Sequence, residues 1–207
     1  MTRIKICGIT NIEDAMKAAE LGAHAVGFIF SEGPRRVDPE MVRSISSALP
    51  PFISKVGVFV NEEREVIEHQ ARLCRLDVVQ ILASDDRDDN HSYSVPTIRT
   101  FRVANMDILT IIGQSNATFF LMDTLDPRQN GGSGRTFDWN IAKEATKLGR
   151  VILAGGLSHH NVAEALDVVH PYAVDVSSGV EKSPGIKDHE KMRLFIKEVQ
   201  AWDNRIG

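Results

Sequence analysis

The chain has 207 residues, 43% of them hydrophobic, with 24 Lys and Arg against 28 Asp and Glu, a net charge of -4. That length allows a large core, and the scattered basic residues argue against a nucleic-acid surface. No apolar run approaches the roughly 18 residues of a membrane span, the N-terminus lacks a hydrophobic signal core, and Cys7 and Cys74 have no zinc or redox spacing, so a cytoplasmic protein without disulfides is expected.

The first strand is expected at Arg3 to Thr10, an apolar run that stops at Cys7. Lys5 and Cys7 share one parity, opposite to Ile4 and Ile6, so the two can face the same side. Asn11 can cap a helix over Ile12 to Leu21 with Gly22 as its C-cap. A second strand spans Ala25 to Phe30, followed by a polar loop holding Pro34, Arg35 and Arg36, and Asp38-Pro39-Glu40 opens a helix to about Leu49. Lys55 to Val60 reads as the third strand, and Asn61 as the cap of a helix through Leu73.

Five further strands follow at Val78 to Leu82, Thr97 to Val103, Thr118 to Asp123, Val151 to Gly155 and Ala173 to Val176, separated by helical patterns at about Met106 to Gln114, Trp139 to Lys147 and Asn161 to Val169; the last helix is His189 to Trp202. Only the acidic stretch Ser84 to Tyr93 breaks the alternation. It lacks the central Gly and closing Glu of a calcium loop. Eight strand–helix units with short connections and no linker predict one closed parallel (β/α)8 barrel, the TIM-barrel architecture, as a single domain spanning residues 1–207. An open doubly wound sheet is the alternative, but no strand is followed by G-x-G-x-x-G.

A closed barrel builds its site from the loops after the strands. Those ends carry Cys7, Arg35 and Arg36, Gln80, Arg102, Asp123, Gly155-Gly156, and Asp175 with Ser177-Ser178-Gly179. The glycine turns after the last two strands let backbone N–H groups approach a phosphate, so Gly155, Gly156, Ser177, Ser178 and Gly179 are its candidate ligands. Asn130 to Thr136, with Gly132 in it, has the glycine content of a lid. Asp123 ends a very apolar strand, where burial raises a carboxyl's pKa and suits it to act as a general acid. Cys7, a small buried hydrophobe if read alone, becomes its partner base once both stand at one mouth. Either Arg35 or Arg36 can clamp a substrate carboxylate. His159 and His160 do not share a helical face and no third ligand is evident, so no metal site is expected.

These stretches in order, Lys5-Ile6-Cys7-Gly8-Ile9-Thr10, Pro34-Arg35, Val56-Gly57-Val58-Phe59, Val79-Gln80, Leu121-Met122-Asp123-Thr124, Gly131 to Trp139, Gly155-Gly156-Leu157, Val174 to Glu181 and Pro184-Gly185 with Lys187-Asp188, resemble the phosphoribosylanthranilate isomerases of tryptophan biosynthesis. The resemblance implies an Amadori rearrangement of N-(5-phosphoribosyl)anthranilate to 1-(2-carboxyphenylamino)-1-deoxyribulose 5-phosphate, without metal or redox cofactor. It implies Cys7 as general base, Asp123 as general acid and Arg35 as the carboxylate clamp. Lys5, Gln80, Gly132 and Asp175 are the further candidate substrate contacts. Relatives commonly read Leu-His-Gly where this chain has Ile81-Leu82-Ala83, a departure at the fourth strand end. The expected partner is the phosphosugar substrate, with neither nucleic acid nor membrane, in a monomer or homodimer. A phosphosugar sensor and another sugar-phosphate isomerase are the competing readings on the same fold.

Overall fold

The structure, a computed structural model, describes residues 1–82, 93–115, 117–124 and 136–206. Eight parallel strands close into a barrel in chain order: β1 (Arg3–Cys7), β2 (Ala25–Ile29), β3 (Ser54–Phe59), β4 (Val78–Leu82), β5 (Thr97–Val103), β6 (Phe119–Thr124), β7 (Arg150–Leu153) and β8 (Ala173–Val176). The ring closes through β1 and β8, where Lys5 stands opposite Asp175. Helices α1 (Ile12–Leu21), α2 (Pro39–Ala48), α3 (Arg64–Leu73), α4 (Ile108–Gln114), α5 (Trp139–Ala145), α6 (Val162–Val169) and α7 (His189–Ile206) cover the outside. Their inner faces and the outward side chains of the strands form the main core, which includes Ile4, Ile6, Val26, Phe28, Phe120 and Val174.

Local chemistry sets the boundaries. The Asn11 side chain accepts the Asp14 N–H at 2.8 Å to start α1, and Gly22 at φ 101° ends it while donating to Ala18 and Ala19. Asp38 caps α2, with Pro39 in its first turn. One expectation fails here: α3 starts after Glu63, not at Asn61. Glu62 instead folds back so that its carboxylate accepts the Val60 N–H at 2.7 Å and the Asn61 N–H at 3.2 Å, which closes the end of β3 and delays the helix.

The last connection keeps the short helical turn expected at about Ser178 to Glu181 and adds a hairpin that the sequence reading lacks. After β8 come a 3₁₀ turn, Ser178–Val180, and an antiparallel hairpin of β9 (Glu181–Ser183) and β10 (Ile186–Lys187), before α7 begins. The hairpin is tied to the loop after β1, since Thr10 donates to the Gly185 carbonyl at 2.5 Å and the Lys187 N–H donates to Asp14 at 2.9 Å.

Inside the barrel Leu121, Ile152, Ala154 and Ala173 pack with Ile98 as a small second core. A cavity of about 310 Å³ opens on the N-terminal face, lined by Ile4, Val56, Val78 and Ile98 among others, with Phe52 at its rim. Phe52 is 95% exposed. Among the described residues no helix is long and apolar enough to cross a membrane.

Candidate active site

Strand parity decides what enters the barrel. On β1 the odd positions turn inward, so Lys5 and Cys7 lie inside while Ile4 and Ile6 join the outer core. Room for them comes from β2: a Cβ on Gly27 would sit 2.8 Å from the Cys7 Sγ and 3.1 Å from the Lys5 Cε. A glycine inside a buried strand marks such a close approach, a signal the sequence offered and the reading of it passed over.

The Lys5 ammonium donates to the Asp175 carboxylate at 2.7 Å, both side chains almost wholly buried. Burial alone would pull Lys5 down, but Asp175 and the neighbouring thiol outweigh it and hold the ammonium above its usual range. The thiol of Cys7 is pushed up by burial; Lys5 and Lys187 oppose that rise and Asp175 adds to it. In the next layer Gln80 donates to the Thr100 hydroxyl at 3.1 Å, while its Oε1 is buried without a hydrogen-bond partner.

Asp123 stands on β6 in register with Arg102 of β5. Burial raises its carboxyl to about 6, against the hydrogen bond from the Thr124 N–H at 2.8 Å; Asp175 adds to the rise while Arg102 and Lys5 hold it back. Two ionisable groups therefore enter one mouth with their proton affinities set by different surroundings, an arrangement that general acid–base chemistry can use.

The two arginines part company. Arg36 points outward and pairs with Glu32, the two side chains 55% and 86% exposed. Arg35 reaches into the mouth and grips Glu181 of β9, with Nε at 2.9 and 3.1 Å and Nη2 at 2.7 Å from the carboxylate oxygens. The same carboxylate accepts from the Lys187 Nζ at 2.9 Å. Burial pushes Glu181 up, but Arg35 and Lys187 outweigh it and keep the carboxyl below its ordinary range. Glu181 and Lys187 went unassigned at the sequence level because their partners lie far along the chain or on strands too short to show a pattern.

Both glycine turns meet at the same end. Gly155 and Gly156 adopt φ 81° and 70°, which only glycine takes without strain. A Cβ on Gly155 would lie 2.4 Å from the Thr124 Oγ1 and 3.2 Å from the Asp123 carboxylate, so this turn adjoins the acid. A Cβ on Gly179 would overlap the Leu157 carbonyl oxygen at 1.9 Å, so the two turns pack directly on each other. Ser178 is half-buried at the start of the 3₁₀ turn, and the Ser177 hydroxyl is buried without a partner. Gly132, most of the expected lid (residues 130–135) and the departure at Ala83 lie outside the described residues.

The family model for N-(5'phosphoribosyl)anthranilate (PRA) isomerase matches residues 4–198. A relative of that name from Geobacter sulfurreducens is 45% identical over 203 residues, covering 98% of this chain and 100% of its own length. The phosphoribosyl anthranilate isomerase of Thermotoga maritima superposes with a TM-score of 0.89 at 43% identity, over 97% of this chain and 100% of that one; that enzyme is also described as dimeric. A phosphoribosyl anthranilate isomerase in complex with reduced 1-(o-carboxyphenylamino)-1-deoxyribulose 5-phosphate superposes with a TM-score of 0.82 at 39% identity, covering 97% and 100% of the two chains. With a match over nearly its whole length, the chain belongs to the N-(5'-phosphoribosyl)anthranilate isomerase family.

Proposed function

We propose that this single-domain barrel catalyses the Amadori rearrangement of N-(5-phosphoribosyl)anthranilate to 1-(2-carboxyphenylamino)-1-deoxyribulose 5-phosphate, a step of tryptophan biosynthesis in the cytoplasm. The observation that carries the reading is the meeting of a buried thiol on β1 and a carboxyl raised to about 6 on β6 at one barrel mouth.

Asp123 gives its proton to the furanose ring oxygen as the C1–O bond breaks, and the anthranilate nitrogen lone pair forms the C=N bond that replaces it. Cys7, as thiolate, then takes the C2 proton. The C–H electron pair becomes the C1–C2 double bond, and the C=N pair returns to nitrogen. Ketonisation of this enolamine restores a C1–H bond and gives the product, with no net oxidation. Arg35 holds the anthranilate carboxylate with the part of its guanidinium that Glu181 does not occupy. The orphaned Gln80 Oε1 is an acceptor for a substrate hydroxyl. Gly155, Gly156, Ser177, Ser178 and Gly179 enclose the phosphate, Lys5 and Asp175 form the polar floor, and Gly132 contributes from the loop over the mouth.

Conversion of the substrate by purified protein tests the reading, together with rescue of a tryptophan auxotroph lacking this isomerase. Cys7→Ser and Asp123→Asn should each abolish turnover while a product analogue still binds. Near-normal turnover by either variant would remove that residue from its role. The chain acts without nucleic acid or membrane. Phe52, exposed beside an apolar cavity, favours the homodimer over the monomer.

A further inference from the structure

Lys187 is the most thoroughly buried charged side chain at the mouth, with 0% exposure. Taking an ammonium out of water costs several kcal/mol even after relaxation. Replacing such groups by apolar ones is often neutral or stabilising, so stability alone gives no reason for a lysine here. Its surroundings do. The Nζ donates to the Glu181 Oε1 at 2.9 Å and to the Ser177 carbonyl at 3.3 Å. Of its three N–H groups, one is left without a protein acceptor among the described residues.

Position points the same way. A Cβ on Gly8, the residue after Cys7, would lie 3.5 Å from the Lys187 Nζ, 2.9 Å from the Arg35 Cδ and 3.0 Å from the Ser177 Oγ. The cation, the carboxylate clamp and an unpartnered hydroxyl therefore crowd the peptide that follows the thiol. Both ends of the hairpin are fixed: Asp14 accepts the Lys187 N–H at 2.9 Å and binds the His189 Nε2 at 2.8 Å, and the Asp188 N–H donates to the Val180 carbonyl at 2.8 Å.

Charge bookkeeping separates the two lysines near Cys7. Lys5 is paired one to one with Asp175, which offsets only part of its effect on the thiol. Glu181 is shared between Arg35 and Lys187, which leaves the trio with a net charge of about +1. The charged groups acting on Cys7 are Lys5 on its own strand, which also hydrogen-bonds the thiol, Asp175 on β8 and Lys187 on β10, and Lys187 adds to the effect of Lys5.

We propose that the β9–β10 hairpin is a working part of the site, with Lys187 as a second cation, beside Lys5, that favours the thiolate of Cys7 and Glu181 as the residue that fixes Lys187 and Arg35 in place. Both are positioning residues, and the role of Lys187 rests on Cys7 acting as the base. Burial lowers the proton affinity of Lys187 and Glu181 opposes that fall, so Glu181 also helps keep the cation charged.

The test is a titration of the Cys7 thiolate by its ultraviolet absorbance in the substrate-free protein, with Cys7→Ser as the blank, alongside pH profiles of kcat/KM. Lys187→Met should move the thiol titration up by about one to two pH units and lower neutral activity about tenfold for each unit. Lys187→Arg, which keeps the charge, should restore most of both. Lys187→Gln keeps a polar head group and should behave as the Met variant does; it serves if the Met variant does not fold. Glu181→Gln should raise KM about tenfold or more as Arg35 loses its anchor. An unmoved thiol titration in Lys187→Met and Lys187→Gln, or an Arg variant no better than either, overturns the proposal. Since the titration needs no turnover, failure of the base assignment, seen as activity in Cys7→Ser, is a separate result.

Discussion

Asp123→Asn should make the fold more stable while abolishing turnover, and the gain should depend on pH. Burial raises the carboxyl from 3.8 to about 6, so between those values the folded chain binds more protons at this site than the unfolded one. Stability therefore falls as pH rises through that window and stays lowered above it. The shift, roughly two units at 1.36 kcal/mol each, corresponds to about 3 kcal/mol. Asp123 is partly open at the mouth, and allowing for solvent screening leaves about 1.5 kcal/mol. Asparagine cannot ionise, yet its amide oxygen can still accept the Thr124 N–H that Asp123 accepts at 2.8 Å. Urea unfolding of both proteins at about pH 7.5 and about pH 4 reads the effect: the variant leads by roughly 1–2 kcal/mol at the higher pH, and the gap nearly closes at the lower. A gap equal at both pH values, or a variant less stable at the higher one, would refute the argument that ionised Asp123 carries an uncompensated burial cost.

The pH profile of kcat/KM should be a bell with its lower apparent pKa near 6, set by Asp123, and its upper one above the ordinary thiol range because burial raises Cys7. Since the acid must be protonated and the base ionised, only a small fraction of the enzyme is productive between them, and a profile without the limb near 6 would refute the pairing. Arg35→Ala should raise KM by roughly 10- to 100-fold, whereas Arg36→Ala, which removes only a solvent-facing pair with Glu32, should leave KM within about twofold; steady-state kinetics of the two variants decides between them. Gly179→Ala forces a methyl against the Leu157 carbonyl and should cost about 1–3 kcal/mol in urea unfolding, with a raised KM from the displaced turn. Phe52→Asp should convert a dimer to monomers in sedimentation without loss of kcat; an unchanged sedimentation profile would remove the N-terminal face as the contact.

How far the sequence could be read depended on the range of the interactions that fix each feature. Strands such as β2 show as apolar runs, and α1 begins and ends on the residues whose own side chain or backbone freedom makes the caps, Asn11 and Gly22. The start of α3 was misread because Glu62 serves the end of β3 rather than a helix, a choice made by strand geometry. The β9–β10 hairpin was missed because strands of three and two residues have no periodicity to detect. The placement of Cys7, Asp123 and Asp175 at the strand ends was legible from parity and position. Arg35 could not be separated from Arg36 by position alone, since adjacent residues in a loop have no fixed parity. What separates them is Glu181, 146 positions away.

The acid and the base make opposite electrostatic demands on one mouth. In the proposed roles Asp123 must hold a proton, which burial and the Asp175 charge favour; Cys7 must lose one, which the same burial and the same Asp175 oppose. A substrate carrying a phosphate and a carboxylate adds negative charge and so raises both proton affinities, helping the acid and hindering the base. One uniform potential cannot serve both groups. The cations must be unevenly placed, and in this barrel they are: Lys5 lies on the thiol's own strand and is only partly offset by Asp175, and Arg35 and Lys187 share the single charge of Glu181 on the side of the hairpin. The surplus positive charge thus stands beside the peptide that follows the thiol, on the β8–β1 side of the ring rather than on β6, the strand of Asp123. In this reading the hairpin after β8 lets a thiol serve as a base in a site that must also bind a dianion.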